Sequence, residues 1–306
     1  MMKRRWRADV CLVLCGLLVW FLADAARLRA AAAEALAMCG RTVIPALFPF
    51  LAVSTLLVTM GFGAWVSPHL SGLMALYRLP GAAGTALLLG LVGGYPIGAR
   101  TAADLYRSGL LTAGEAERLL AFCNNSNPVF LVSVLGVGVF GSVRAGVYLW
   151  LIHILSALLT GLLFRGTRER PAGHRVNREN PCQPLPAFST AFVGAVQGAA
   201  GAMLSICAFV TLFYALARPL AALGGTLGAG LVGVLELFSL TPLLPSTREG
   251  FVLAAGCAGW GGVSILCQTA AALDGSGLRL KTYFFGKILQ GVFSAALAAL
   301  VWTSIL

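Results

Sequence analysis

The sequence predicts an all-α polytopic membrane protein made of two inverted-topology repeats, each with a re-entrant or broken-helix hairpin. Three observations predict it. The 306-residue chain is 58% hydrophobic and only 11% charged, with a mean hydropathy of +0.87, which is the composition of a bilayer-embedded chain. Its apolar runs are interrupted by Gly, Pro and polar side chains, most densely between Gly90 and Phe140. Short matches also recur in the same order in the two halves.

The length allows roughly eight or nine spans of about 20 residues joined by short loops. Lys3, Arg4, Arg5 and Arg7 precede the apolar run Val10 to Ala23. A retained first span and a signal segment ending near Ala23-Asp24-Ala25 both fit, and Arg27 and Arg29 directly behind favour the span. Either places residue 30 outside, with the N-terminus cytoplasmic. Residues 30–38 are Ala-rich and helical by propensity. The next span is expected over about Thr42 to Phe62, with Pro45 and Pro49 near its outer end. Pro68 and Pro80 bracket a short amphipathic piece at the interface, and a clean span follows from about Ala145 to Phe164.

Residues 165–188 gather Arg165, Arg168, Arg170, Arg175 and Arg178 with four prolines. The positive-inside rule makes this linker cytoplasmic. Further spans are expected near Ala191–Ala217, 224–245 and 250–272, then from Tyr283 to Trp302, with Arg279, Lys281 and Lys287 marking the inner end of the last. The domain plan is therefore 1–40 N-terminal span and connector, 41–164 first repeat, 165–188 linker, 189–306 second repeat. The net charge of +11 sits at span ends and in the linker, so it sets orientation and does not mark a nucleic-acid partner. The eight cysteines form no C-x-x-C pair and read as small buried hydrophobes.

Gly90-Leu-Val-Gly93 recurs as Gly230-Leu-Val-Gly233, Leu120-Ala-Phe-Cys123 faces Ala254-Ala-Gly-Cys257, and His153-Ile-Leu-Ser156 faces Lys287-Ile-Leu-Gln290. The span ending at Phe164 runs outside to inside. Its counterpart in the second half runs inside to outside. Equivalent spans of opposite direction imply a pseudo-two-fold axis in the membrane plane, the plan of many secondary transporters. The hairpin tips are expected at Gly93–Pro96 and within Glu236 to Pro245.

Irregular backbone at membrane depth is tolerated only inside protein or beside water, so the polar interruptions are the candidate solute site. Asn124, Asn125, Ser126 and Asn127 precede Pro128, which places a helix N-terminus there, its free N–H groups facing the polar cluster and favouring an anion. Gly94 and Pro96 permit a tight turn, with Tyr95 presenting a ring and a hydroxyl. Arg100 has two readings, a carboxylate fork and a snorkelling interfacial charge. Glu236 follows the apolar run Leu231–Leu235; an acid at that depth marks a functional position, expected to couple H+ or Na+ with Ser239 and Thr241 supplying oxygens, or to pair with a cation such as Arg100. His153 reads as a helix-packing histidine. No H-E-x-x-H, G-x-S-x-G or P-loop occurs, so neither an enzyme nor a metal site is expected.

The run Gly94-Tyr95-Pro96-Ile97-Gly98-Ala99, the stretch Glu115 to Leu120, and Phe122-Cys123-Asn124-Asn125-Ser126 with Pro128 resemble the YlbJ-type sporulation integral membrane proteins, within the group carrying nucleoside-recognition (Gate) domains. The second half matches less closely: Glu236 fits, but Leu237-Phe238-Ser239 replace the polar residues expected after it. The resemblance implies a membrane around a developing spore, and a role in cortex formation or in moving dipicolinate, a small aromatic dianion. The expected function is transport of a small anionic solute by alternating access. A transporter of nucleosides or another polar solute and a non-transporting sporulation scaffold are the alternatives. The expected partners are the solute, the lipid bilayer, and further copies of the chain or other sporulation membrane proteins.

Overall fold

The computed structural model describes residues 2–166 and 186–302, and every regular element among them is helical. Most of the basic, Pro-rich linker, residues 167–185, lies outside the described residues.

The first half runs α1 (Met2–Ala23), α2 (Ala25–Met38), a π-turn (Cys39–Val43), α3 (Ile44–Thr59), α4 (Phe62–Leu76), α5 (Ala83–Gly93), α6 (Ile97–Arg107), α7 (Ala113–Cys123), a π-helical segment (Phe130–Val139) and α8 (Val143–Leu163). The second half runs α9 (Phe188–Ala221), α10 (Gly225–Leu235), the four-residue α11 (Leu237–Leu240), a 3₁₀ turn (Thr241–Leu243), α12 (Arg248–Trp260), α13 (Val263–Ala272) and α14 (Lys281–Val301).

Among the described residues, five stretches are long and apolar enough to cross a membrane: Ala25–Thr59, Val143–Leu163, Phe188–Ala221, Arg248–Ala272 and Lys281–Val301. This is fewer than the eight or nine spans expected. The reason is local. Breaks at Gly94–Pro96, Asn124–Asn127 and Glu236 cut apolar sequence into helices of 10–11 residues, α5, the π-helical segment and α10. Such a helix is about 16 Å long, half the hydrocarbon core. The second predicted span is also corrected. Ala25–Thr59 is one continuous helical stretch: the π-turn joins α2 to α3, with Pro45 directly behind it and Pro49 inside α3. The piece bracketed by Pro68 and Pro80 begins earlier, at Phe62, with Pro68 inside the helix.

The helices are turned inside out relative to a water-soluble bundle. In α8 the buried face carries His153, Ser156 and Thr160, whereas Val147, Leu151, Leu155 and Leu163 are exposed. In α14 the buried face carries Lys287, Gln290 and Ser294, with Phe285, Val292 and Leu300 outside. A broad apolar exterior around a polar interior is the signature of helices solvated by lipid. The chain is an integral membrane protein in a lipid bilayer.

α14 is the central packing element, contacting α12, α8 and α7. The α5–α6 hairpin lies against the end of α7 so closely that a Cβ on Gly90 would overlap the Cys123 carbonyl oxygen, and one on Gly98 would overlap that oxygen while meeting Asn124 Cα at 3.0 Å. No side chain fits either position without moving backbone, which explains two glycines of the central motif. Gly98→Ala is therefore expected to abolish monodisperse, folded protein in detergent, measured by size-exclusion elution. Gly201→Ala in α9, where nothing lies within 4 Å of an added Cβ, leaves the elution unchanged.

Candidate functional site

Four chain breaks meet inside the helix bundle. The first is the α5–α6 tip, Gly94–Pro96, whose Tyr95–Pro96 peptide is cis. The second is Asn124–Asn127, between α7 and the π-helical segment. The third is Glu236, in extended conformation between α10 and α11. The fourth is Gly261–Gly262, between α12 and α13, with φ of 88° and 93°. A Cβ on Gly94 would lie 2.8 Å from that of Asn127, one on Gly261 would lie 3.0 Å from the Tyr95 hydroxyl, and one on Gly262 would lie 3.1 Å from the Leu235 carbonyl oxygen. The breaks thus touch in a ring, tip to loop to tip.

Three of the breaks dispose of freed backbone groups through a neighbouring side chain, as a low-dielectric interior requires, whereas the bonds at Gly261–Gly262 run backbone to backbone. Asn124 stitches the halves together: its Oδ1 accepts from the Ala99 N–H at 3.2 Å and its Nδ2 donates to Thr269 Oγ1 at 2.9 Å. Asn125 Nδ2 donates to the Phe122 carbonyl at 2.7 Å, while its Oδ1 accepts from Gln290 Nε2 at 2.8 Å. Asn127 Oδ1 accepts from the Phe130 N–H at 2.8 Å, capping the helix that begins at Pro128. The Ser126 N–H donates to His153 Nε2 at 3.1 Å. That nitrogen is thereby an acceptor, so the ring is neutral with its proton on Nδ1. His153 is a support for the Asn-rich loop as well as a packing residue.

Glu236 caps the short α11. Its carboxylate accepts from the Phe238 and Ser239 N–H groups and from Ser239 Oγ at 2.6 Å. Among the described residues no cation pairs with it. Arg100 is exposed on α6 and lines no part of this region, so it forms neither a carboxylate fork here nor a partner for Glu236. Thr241 is likewise elsewhere. Its hydroxyl donates to the Phe238 carbonyl at 2.8 Å, and it faces a different groove, beside Pro242 and Met38.

A cavity of about 30 Å³ lies where the breaks meet, walled by Tyr95, Ser126, Asn127, Glu236, Phe238 and Gln268. That is room for one or two waters. Gly94 and Pro96 shape its Tyr95 wall, and Ser239 its Glu236 wall. The Tyr95 and Ser126 hydroxyls face each other there, both buried, and no other group is in hydrogen-bond geometry with either. Larger grooves exist, including one of about 820 Å³ between α10, α12 and α14, but its walls, such as Val252, Leu253 and Val292, belong to the lipid-facing exterior.

Sequence reasoning missed one side of the site. Lys287 was expected at the inner end of the last span. It is instead 1% exposed within α14, where its Nζ donates to the Asn124 carbonyl at 3.1 Å and to Gln290 Oε1 at 2.7 Å and stands 5.2 Å from the centre of the Tyr95 ring. The available signal was its position six residues into an apolar helix, with Ile288 and Leu289 after it. Gln268, Thr269 and Gln290 carried no comparable signal.

No family model matches the chain, and no solved structure matches it. It is 29% identical to the sporulation integral membrane protein YlbJ of Bacillus subtilis strain 168, over an alignment of 308 positions, gaps included, that covers 87% of this chain and 76% of that protein. The chain is similar to YlbJ. The YlbJ-type likeness read from the central motif thus extends over most of the sequence.

Asn124→Ala leaves the Ala99 N–H without its partner in the interior, at about 1–3 kcal/mol for the group left unsatisfied, while the Thr269 hydroxyl keeps its bond to the Ile265 carbonyl. The expected outcome is a clear fall in the thermal unfolding midpoint in detergent.

Proposed function

We propose that this protein moves a small anionic solute across a membrane surrounding the developing spore, by alternating access, and that the solute is dipicolinate. One observation carries the transport reading: three of the breaks, at Tyr95, Ser126–Asn127 and Glu236, bring polar groups to one small cavity within the bundle. Broken helices meeting at depth are how transporters place solute-binding groups in a bilayer. A scaffold needs no such cavity, and breaks in its spans would only cost stability.

The cavity admits one or two waters, so a solute of dipicolinate's size enters only when the tips part. The tips are the movable elements, because each is a short hairpin end held by side-chain hydrogen bonds and not by a continuous helix. An inverted repeat supplies the matching pair of gates. Glu236 in the second tip is the position for coupling, by H+ or Na+, with Ser239 beside it. The sporulation setting, the dipicolinate assignment and the Gate-type character come from the likeness to YlbJ-type proteins. A second reading, transport of a nucleoside or another neutral polar solute, is favoured by the neutral donors and acceptors of Ser126, Asn127 and Gln268 in the cavity wall.

Uptake of labelled dipicolinate into proteoliposomes, beside a nucleoside panel, tests the proposal. Wild type is expected to show saturable dipicolinate uptake, reduced at least about tenfold by Glu236→Gln and by Asn124→Ala/Asn125→Ala. Saturable nucleoside uptake alone would favour the second reading. Folded protein that moves neither would leave a scaffold.

A further inference from the structure

We infer that Lys287 is the counter-charge for a carboxylate held at the ring of chain breaks, acting from behind the Tyr95 ring. The inference rests on the proposed anion transport but assigns a residue and a ligand chemistry that the motif does not contain.

The partners of Lys287 satisfy its hydrogen bonds and not its charge. The Asn124 carbonyl and the Gln290 amide oxygen accept two of its three N–H groups, and the Tyr95 ring faces the ammonium at 5.2 Å. The titratable groups packed around it are neutral or distant in role. His153 on α8 accepts from the Ser126 N–H and so carries no charge. Cys123 on α7 and Tyr283 on α14 are buried, and Tyr283 is tied to Thr269. The ion pairs among the described residues include Arg27–Asp24, Arg107–Asp104 and Arg218–Glu34, all at exposed side chains. A buried cation without an opposite charge is costly even where its hydrogen bonds are met, and a chain under no functional demand would place Met or Leu there.

A second, independent observation points the same way. The buried Tyr95 and Ser126 hydroxyls face each other and line the cavity with no other partner. A hydroxyl pair with donor capacity to spare, beside a buried ammonium without an opposite charge, forms a recognition set for a carboxylate: the hydroxyls turn to its oxygens, and the ammonium balances its charge through low-dielectric protein. Glu236 forms the opposite wall. Its negative end repels a second carboxylate, so the anion is drawn to the Tyr95–Ser126 side.

The test is thermal stabilisation of the full chain in detergent by dipicolinate, by benzoate and by the neutral diamide of dipicolinate. It is measured for wild type, Lys287→Met, Lys287→Gln and Lys287→Arg, with proteoliposome uptake alongside. Wild type is expected to bind both carboxylates, and the diamide about tenfold to a hundredfold more weakly than dipicolinate. Lys287→Met and Lys287→Gln lose that charge preference, while Lys287→Arg keeps part of it. Carboxylate binding unchanged in a folded Lys287→Met protein overturns the inference and leaves transport intact. Diamide bound as tightly as dipicolinate by wild type overturns it without any variant, so a variant that fails to fold does not remove the test. Lys287-dependent carboxylate binding without uptake keeps the inference and removes the transport reading. No stabilisation of wild type by any carboxylate removes both.

Discussion

The structure depends on one constraint: every backbone N–H and C=O freed by a chain break must find a partner inside a protein that lipid surrounds. The breaks at Tyr95, Asn124–Asn127, Glu236 and Gly261–Gly262 interrupt helices where water cannot serve. They are satisfied by capping side chains, Asn127 for the helix at Pro128 and Glu236 for α11, and by cross-links between segments, Asn124 above all. The breaks therefore cannot be scattered. Each needs polar groups, and the polar groups of one break are the nearest supply for the next. Convergence on one polar centre follows from satisfaction, and a centre that holds polar groups in an apolar bundle is also where a solute can bind.

Packing then fixes that centre. α14 touches α7, α8 and α12, and its buried face, Lys287, Gln290 and Ser294, runs along the polar network to the Ser156–Ser294 contact with α8. Glycines allow the approach. A Cβ on Gly286 would sit 2.5 Å from the Ala121 carbonyl oxygen, and one on Gly259 would sit 2.7 Å from the Gln290 carbonyl oxygen. Close helix contact excludes lipid from the polar face without requiring larger apolar side chains there.

Much of this was legible in the sequence because it is local. The apolar composition gives the membrane class, Pro128 behind Asn and Ser gives the helix start, and the Gly-Gly-Tyr-Pro run gives a tip. Glu236 stands out as an acid between Leu235 and Leu237. What was not legible is long-range. Arg100 follows the tip in sequence, but the helical turn of α6 directs it to the exterior. Thr241 is five residues beyond Glu236 and turns away with the 3₁₀ segment. Lys287 reads as one more basic residue near a span end until α14 is seen to begin six residues before it and to bury it against Asn124. Span counting failed for the same reason, since half-length helices become recognisable only when their broken ends are seen to meet.

The central claim is that the ring of breaks is a solute site that opens to water. Ser126→Cys in a chain with the other cysteines replaced, reconstituted in liposomes, tests it through the rate of reaction with a membrane-impermeant thiol reagent. The account predicts slow but measurable modification that dipicolinate suppresses in a saturable manner. Modification at a rate indifferent to dipicolinate, or complete protection under all conditions in a chain that still takes up the solute, would contradict it.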